Sequence, residues 1–95
     1  MLIAIDFDDT LTADPALWLA FIRKANFHGH TVICVTARHD TESNRNSLRL
    51  WMWENDINLY VHYTSLGSKV DHMQRIGVKV DIWIDDDPRK CALGH

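Results

Sequence analysis

The polar segment that ends the first apolar run constrains this chain more than any other feature. Leu2–Ile5 is an apolar run of the kind that forms a buried strand, and Asp6, Asp8 and Asp9 follow it closely. Open α/β sheets bind their ligands at the C-terminal ends of the strands, where this segment would lie. Two carboxylates this close raise each other's pKa unless a cation or a proton lies between them. The segment therefore predicts a metal site that also offers a nucleophile and a proton carrier.

Strands and helices alternate along the rest of the chain. Apolar segments predict three further strands, at residues 31–35, 59–63 and 80–84. Capping and stop signals predict four helices: from Asp14-Pro15 to about Phe27, from Asp40 or Thr41 to about Asn55, from about Ser68 to Gly77, and a short one from Pro88 with Asp87 as its cap. The order β-α-β-α-β-α-β predicts a minimal three-layer, Rossmann-like α/β fold, with a parallel sheet, right-handed crossovers and flanking helices.

Apolar residues recur at helical spacing in three of these helices, which predicts the side that faces the core. The residues are Leu17, Trp18, Phe21, Ile22 and Ala25 in the first helix, Leu48, Trp51 and Met52 in the second, and Val70, Met73 and Ile76 in the third. Trp51 and Trp53 lie on different sides of the second helix, so one of them is expected in the core. The other is a candidate for a dimer contact or for a platform on which a base stacks.

Size and composition limit the classes of protein to consider. A chain of 95 residues forms a single domain, here residues 1–95. The net charge of -3 argues against a generic duplex-DNA binder, but a bound divalent cation would still allow a phosphorylated substrate. Cys34 and Cys91 lack the spacing of a zinc site, and Cys34 is expected to be a buried thiol. Asp6 interrupts the first apolar run too early for a signal peptide or a membrane span, so we expect a cytoplasmic protein without a membrane partner.

Chemically useful side chains fall where a parallel sheet would bring them together. They stand at the ends of three strands and at the start of the third helix: Asp6, Asp8, Thr10, Thr36, Lys69, Asp85 and Asp86. A carboxylate can attack phosphorus, and a second one can carry the proton. Hard oxygen ligands can hold Mg²⁺, while a hydroxyl, backbone amides and a lysine can hold phosphoryl oxygens. This set predicts phosphoryl transfer.

The same residues resemble the motifs of a known superfamily. Asp6-Phe7-Asp8-Asp9-Thr10 resembles the D-x-D-x-T signature of the haloacid dehalogenase (HAD) superfamily. The strand that ends in Thr36 is similar to its second motif, Lys69 to the third, and Ile84-Asp85-Asp86 to the acidic fourth. The four motifs occur in the family's order and span nearly the whole chain. The resemblance implies a HAD-like fold.

The resemblance also implies a role for each matched residue. Asp6 would be the nucleophile and a Mg²⁺ ligand, and Asp8 the general acid and base, with its backbone carbonyl facing the metal. Asp85 would bind the metal directly, and Asp86 directly or through water. Thr10 would brace the loop around Asp8, Thr36 would bind the phosphoryl group, and Lys69 would act in catalysis by neutralising charge between the nucleophile and the phosphate. The phosphate-binding candidates are thus Thr10, Thr36 and Lys69, and Arg38 joins them only because it directly follows the phosphate loop. An aspartate at position 8 separates the phosphatases of this family from its dehalogenases, so the implied activity is a Mg²⁺-dependent phosphohydrolase.

The chain departs from the family pattern in two ways. Phosphatases of the family usually have glycine where Asp9 stands, although aspartate tolerates a left-handed backbone better than most residues. Neither the segment after Thr12 nor the one between Tyr63 and Lys69 has room for a cap domain. The chain thus resembles the capless members, whose open sites often accept large substrates, so a nucleotide or a polynucleotide end is a candidate substrate.

Other interpretations stay open at this stage. Asp6, Asp8 and Thr10 can form a solvated turn, Asp85 and Asp86 can serve only to cap a helix, and Lys69 can be a surface lysine. Arg38 follows the predicted phosphate loop directly, and a contact with substrate competes with a solvated position. As a whole, the chain can instead be a non-catalytic protein on the same fold that binds a metal, a nucleotide or a partner. A homodimer that covers an exposed sheet edge is a further expectation.

Overall fold

A computed structural model describes residues 1–94 of the chain as an α/β fold. Its strands are β1 (Leu2–Ile5), β2 (Thr31–Thr36), β3 (Val61–Tyr63) and β4 (Ile82–Ile84). Its helices are α1 (Pro15–Phe27), α2 (Glu42–Glu54), α3 (Lys69–Arg75) and α4 (Pro88–Leu93), and a turn of 3-10 helix covers Leu11–Ala13. Each predicted strand and helix is present, whereas the 3-10 turn was not predicted. His95, the last residue of the predicted domain, lies outside the described residues.

Local capping chemistry sets where the helices begin. The side chains of Asp14, Thr41, Ser68 and Asp87 each accept a hydrogen bond from the backbone N–H three residues later, at 3.1–3.2 Å. Thr41, not Asp40, is therefore the cap of α2. None of the helices in residues 1–94 has the length and apolar character needed to cross a membrane.

All strand pairs in the four-stranded sheet are parallel, and the strand order is β3-β2-β1-β4. From β1 the chain moves outward through β2 to β3 and then returns to place β4 on the other side of β1. This reversal puts α1 and α2 on one face of the sheet and α3 on the opposite face. Ligands of such sheets bind at the carboxyl ends of the strands where the order reverses, which here is the end of β1 and β4.

Alternating strand residues supply the two faces of the core. Ile3, Ile5 and Cys34 pack beneath α1 and α2, whereas Ala4 and Val35 face α3. Cys34 is fully buried, as predicted. Burial raises the pKa of its thiol, so Cys34 behaves as a core residue.

Two residues predicted to face the core are exposed instead. Leu17 is 55% exposed, because the buried residues of α1, Ile22 and Ala25, lie in the second half of the helix. Ile76 is 49% exposed because it follows α3 and lines an open groove beside β3. Helical spacing predicts a direction but not whether another element covers it.

The two short strands begin two residues later than predicted. Before β4, the Asp81 side chain accepts a hydrogen bond from the backbone N–H of Leu2 at 2.8 Å. A side-chain oxygen of Asp81 thus accepts the hydrogen bond that a backbone carbonyl would have accepted in the longer predicted strand.

Candidate metal centre

Three carboxylates converge at the carboxyl ends of β1 and β4. Ile5 pairs with Ile84 in the sheet, so Asp6 and Asp85, the next residues, lie side by side. The backbone N–H of Asp6 donates to the Ile84 carbonyl at 2.9 Å and extends this pairing by one bond. Side-chain oxygens of Asp6, Asp85 and Asp86 all lie within 4.8 Å of one another. Adjacent parallel strands therefore build a cluster from residues at opposite ends of the chain.

Lys69 lies between two of these carboxylates. Its Nζ donates to Asp6 Oδ1 and to Asp85 Oδ2, both at 2.6 Å. The residue opens α3, directly after the Ser68 cap, and is only 2% exposed. The interpretation of Lys69 as a surface lysine is therefore wrong. A buried ammonium in contact with two carboxylates fixes their orientation and offsets part of their charge.

The electrostatics of the cluster favour a bound cation. Burial raises the pKa of Asp6 to about 6, although its hydrogen bond to Lys69 acts in the opposite direction. Burial disfavours the charge of Lys69, but the hydrogen bonds to Asp6 and Asp85 outweigh it and raise the pKa of this ammonium. One ammonium faces three carboxylates, so two negative charges are left when all three are ionised. A divalent cation would balance them, and this all-oxygen donor set fits a hard ion.

Thr10 lies beneath the cluster. Its Oγ1 is 3.4 Å from both Asp6 Oδ2 and Asp86 Oδ1, and the residue is buried. Its carbonyl accepts a hydrogen bond from the indole Nε1 of Trp18 at 2.8 Å, which ties the loop to α1. The Thr10 hydroxyl is thus placed to orient carboxylates.

Asp8 is not one of the three clustered acids and is paired with Arg38 instead. Arg38 Nε donates to Asp8 Oδ2 at 2.9 Å and Nη2 donates to Oδ1 at 2.8 Å, a bidentate pair. The guanidinium carbon lies 5.2 Å from the centre of the Phe7 ring, and Nη1 donates to Asn44 Oδ1 at 3.3 Å. The hydrogen bond to Asp8 raises the pKa of Arg38. Arg38 is therefore not simply a solvated arginine: Asp8, Phe7 and Asn44 hold it above the first loop.

A small cavity of about 110 Å³ opens beside the carboxylates. Its lining residues are Asp6, Asp8, Asp9, Ala37, Lys69, Asp85, Asp86, Asp87 and Lys90. Thr36 does not line it: the residue is fully buried at the end of β2, and its Oγ1 accepts a hydrogen bond from the Arg38 backbone N–H at 3.3 Å. Among the phosphate-binding candidates, Lys69 thus lines the cavity, whereas Thr10, Thr36 and Arg38 lie behind or beside it.

Asp9 occupies a left-handed backbone position, with φ +62°. Glycine adopts this conformation without steric cost, which gives a physical reason for the glycine usual in the phosphatases that the motif resembles. The Asp9 N–H donates to Thr12 Oγ1 at 3.0 Å and its side chain is exposed at the cavity rim. The backbone of the loop therefore accepts aspartate here, as predicted, at a cost in strain.

Sequence analysis missed two polar residues of the cavity wall and one supporting residue. Asp87 was predicted only as a helix cap, and Lys90 was not singled out at all. The three-residue spacing of Asp87 and Lys90 could have indicated that they lie together. The Asp87 side chain accepts a hydrogen bond from the Lys90 N–H, which brings both residues to the start of α4. Asn44, which contacts Arg38, carries no such signal.

Comparisons with protein-family models, with curated proteins and with solved structures each gave no match to this chain. The geometry of the site and the sequence motifs are therefore what indicates a function.

Proposed function

We propose that this protein is a HAD-like, Mg²⁺-dependent phosphohydrolase that cleaves phosphomonoesters through an aspartyl-phosphate at Asp6. The observation that carries the proposal is the position of Asp6. It lies buried at the end of the central strand, 2.6 Å from the Lys69 ammonium and within 4.8 Å of ligand atoms from Asp85 and Asp86. A nucleophile, a buried cation and a carboxylate metal site are the parts that phosphoryl transfer needs.

The first half-reaction uses Asp6 and Asp8. An Asp6 oxygen attacks phosphorus, the bond between phosphorus and the ester oxygen breaks, and Asp8 gives its proton to the departing oxygen. Asp8 can do so only after Arg38 releases it, because both of its carboxylate oxygens accept from the guanidinium. A phosphoryl group is the natural competitor, since it offers the same fork of two oxygens to Arg38.

The second half-reaction restores the enzyme. Asp8 now takes a proton from water, the water oxygen attacks phosphorus, and the bond from Asp6 to phosphorus breaks to release phosphate. Lys69 contributes its charge beside Asp6 in both steps. Asp6, Asp85 and Asp86 would hold Mg²⁺, joined by the Asp8 carbonyl if the resemblance holds. When bound, the ion withdraws charge from the phosphoryl oxygens and orients the group for in-line attack.

The cavity limits which part of a substrate is enclosed. At about 110 Å³ it holds a phosphoryl group, whereas pockets that enclose whole drug-sized ligands measure roughly 300–1,000 Å³. The leaving group therefore extends onto the surface. This favours phosphate at an accessible end of a larger molecule, and a nucleotide or a polynucleotide end is the leading candidate.

A phosphatase screen tests this proposal. The purified protein with Mg²⁺ would be offered an aryl phosphate, nucleotides, polynucleotide ends, sugar phosphates and phosphopeptides. We expect phosphate release that Asp6→Asn abolishes and that a chelator removes. Asp71→Asn is the matched control, because Asp71 is an exposed acid on α3 outside the cluster. Absence of activity on the whole panel, or activity that survives in Asp6→Asn, would refute the proposal.

The pairing of Asp8 with Arg38 favours a second candidate function, a protein that binds a cation and a nucleotide or partner without turnover. In that case Arg38 holds Asp8 permanently and no residue transfers the proton. Calorimetry distinguishes the two functions. Stoichiometric binding of a nucleotide in Mg²⁺, with the ligand recovered unchanged, supports the binding protein, whereas conversion of the ligand supports the enzyme.

A further inference from the structure

An open groove runs along the edge of the sheet formed by β3. It measures about 1,030 Å³ and lies between α2 and the end of α3, on the opposite edge of the sheet from β4. Three large side chains beside it are solvent-exposed: Trp53 at 80%, Tyr60 at 70% and Ile76 at 49%. Large exposed side chains gathered beside a sheet edge are typical of a surface that another polypeptide covers.

The backbone of β3 is available for further pairing. The Cys34 N–H donates to the Tyr60 carbonyl and the Thr64 N–H donates to the Thr36 carbonyl, both at 2.9 Å. The backbone groups of residues 60 and 64 therefore point toward β2. Because these groups alternate in direction along a strand, the N–H and carbonyl groups of Val61 and Tyr63 point away from β2, to the open side of the sheet. The outer side of β3 thus presents donors and acceptors in the pattern of an edge strand.

The sequence does not protect this edge. Residues 57–68 contain no Asp, Glu, Lys, Arg or Pro, the residues with which proteins usually block edge-to-edge pairing. The β4 edge differs, since Asp81 precedes the strand and Asp85–Asp87 follow it. A second negatively charged chain would be repelled at β4 but not at β3.

The charges that line the groove are balanced. Among the described residues they are two acids and two bases, Asp40, Asp56, Arg45 and Arg49. The whole chain carries a net charge of -3, so its excess negative charge lies elsewhere. Within the same chain Asp40 pairs with Arg45, and Asp56 pairs with Arg23. A strongly acidic or basic partner would therefore find no excess of opposite charge in this groove, whereas a second copy that joins by backbone pairing needs none.

We propose that β3 pairs antiparallel with β3 of a second copy of this chain, forming a homodimer with one continuous sheet. A two-fold axis at this edge places the outward N–H groups of Val61 and Tyr63 in each copy opposite the outward carbonyls of the other. The two four-stranded sheets join into one of eight strands. Trp53 and Tyr60 cover the new junction from the two faces, and the dimer leaves both carboxylate clusters open at the strand ends.

Light scattering after size exclusion tests the proposal. Two chains of 11.0 kDa give a dimer of about 22 kDa, which we expect for the wild type across a wide range of protein concentration. The double variant Trp53→Lys/Tyr60→Lys places charge at the junction and is expected to elute as a monomer. Both side chains are exposed in the monomer, so the variant should keep its fold, which far-UV circular dichroism verifies.

Phe27→Lys is the matched control, because Phe27 is an aromatic residue at 83% exposure that does not line the groove. It should remain dimeric. Hydrogen exchange gives a second measurement: the Val61 and Tyr63 amides should be protected in the wild type and exchange rapidly in the double variant. A wild type that is monomeric throughout overturns the proposal, even if it binds an extended peptide of another protein at this edge. A dimer that survives the double variant overturns it as well.

Discussion

Arg38 holds both carboxylate oxygens of Asp8, with donor–acceptor distances of 2.9 and 2.8 Å, across 30 residues of sequence. The contact joins the loop after β1 to the loop after β2. Asp8 lines the cavity, so a phosphoryl group bound there could take over the guanidinium fork that now holds this carboxylate.

We therefore expect Arg38→Gln to weaken substrate binding. A hydrogen bond to a charged group contributes about 1.5–3 kcal/mol, so the KM for a phosphomonoester should rise at least about tenfold, while kcat changes less. Steady-state kinetics measure both constants. Arg23→Gln is the control, since Arg23 forms an exposed salt bridge with Asp56 and neither residue belongs to the loop after β1 or the loop after β2. An unchanged KM in Arg38→Gln would place Arg38 outside substrate recognition.

A second prediction concerns the stability of the metal-free protein. Asp6 is a buried carboxylate crowded by two others, so Asp6→Asn should stabilise the cation-free fold at neutral pH by about 1–2 kcal/mol. Mg²⁺ should reverse the order, because it raises the Tm of the wild type but not that of Asp6→Asn. Thermal unfolding with Mg²⁺ and with a chelator measures this. Asp71→Asn should respond to Mg²⁺ as the wild type does, and a Tm of the wild type that ignores Mg²⁺ would contradict the metal site.

The left-handed backbone of Asp9 leads to a third prediction. Asp9→Ala should have a free energy of unfolding about 1 kcal/mol lower than that of Asp9→Gly, because an alanine side chain meets the steric cost of a left-handed backbone at φ +62°. Asp9→Gly should be at least as stable as the wild type, because glycine has no such cost. Urea denaturation of the pair measures the difference. Equal midpoints for the two variants would show that the loop relaxes out of this conformation.

A fourth prediction concerns the pH dependence of stability through His62. Burial, and to a lesser degree the charge of His72, lowers the pKa of this imidazole. The unfolded chain therefore takes up the proton more readily, near its ordinary value of about 6.5. The free energy of unfolding should be highest above that pH, fall as the pH drops through it, and level off below the lower folded-state pKa.

His62→Gln should reduce this decline, because glutamine does not titrate. Urea titrations of both proteins between about pH 8 and pH 5 make the comparison at one protein concentration. The difference between the two curves isolates His62 from the other histidines. Curves that run parallel over this interval would show that the folded state accepts the proton freely.

Features with a local cause could be predicted from the sequence. The four helix starts follow from Asp14, Thr41, Ser68 and Asp87, whose side chains act within three residues of their own positions. The parallel α/β class follows from the alternation of elements. The positions of Asp6 and Asp85 could also be predicted, because each directly follows an apolar strand.

Features that depend on distant neighbours could not be predicted in the same way. Hydropathy places a lysine on the surface, and a role for Lys69 was indicated only by its position at a helix start and by the motif. Lys69 is buried because carboxylates that follow β1 and β4 meet it there. The pair of Asp8 with Arg38 depends on how two loops lie. Whether Ile76 is covered depends on what occupies the space beyond β3, about which helical spacing says nothing.

The pairing of β1 with β4 also has a consequence for synthesis of the chain. The N–H of Leu2 binds a carboxylate 79 residues later, and Thr10 meets Asp86 across 76 residues. Contacts of such long sequence separation close late, because the entropy of a large loop opposes them. A chain still on the ribosome that has not released Ile82–Asp86 therefore has Asp6 without the two carboxylates that complete the candidate cation site. A cation held by this cluster would bind only after the last strand has docked, and it would make that final step of folding harder to reverse.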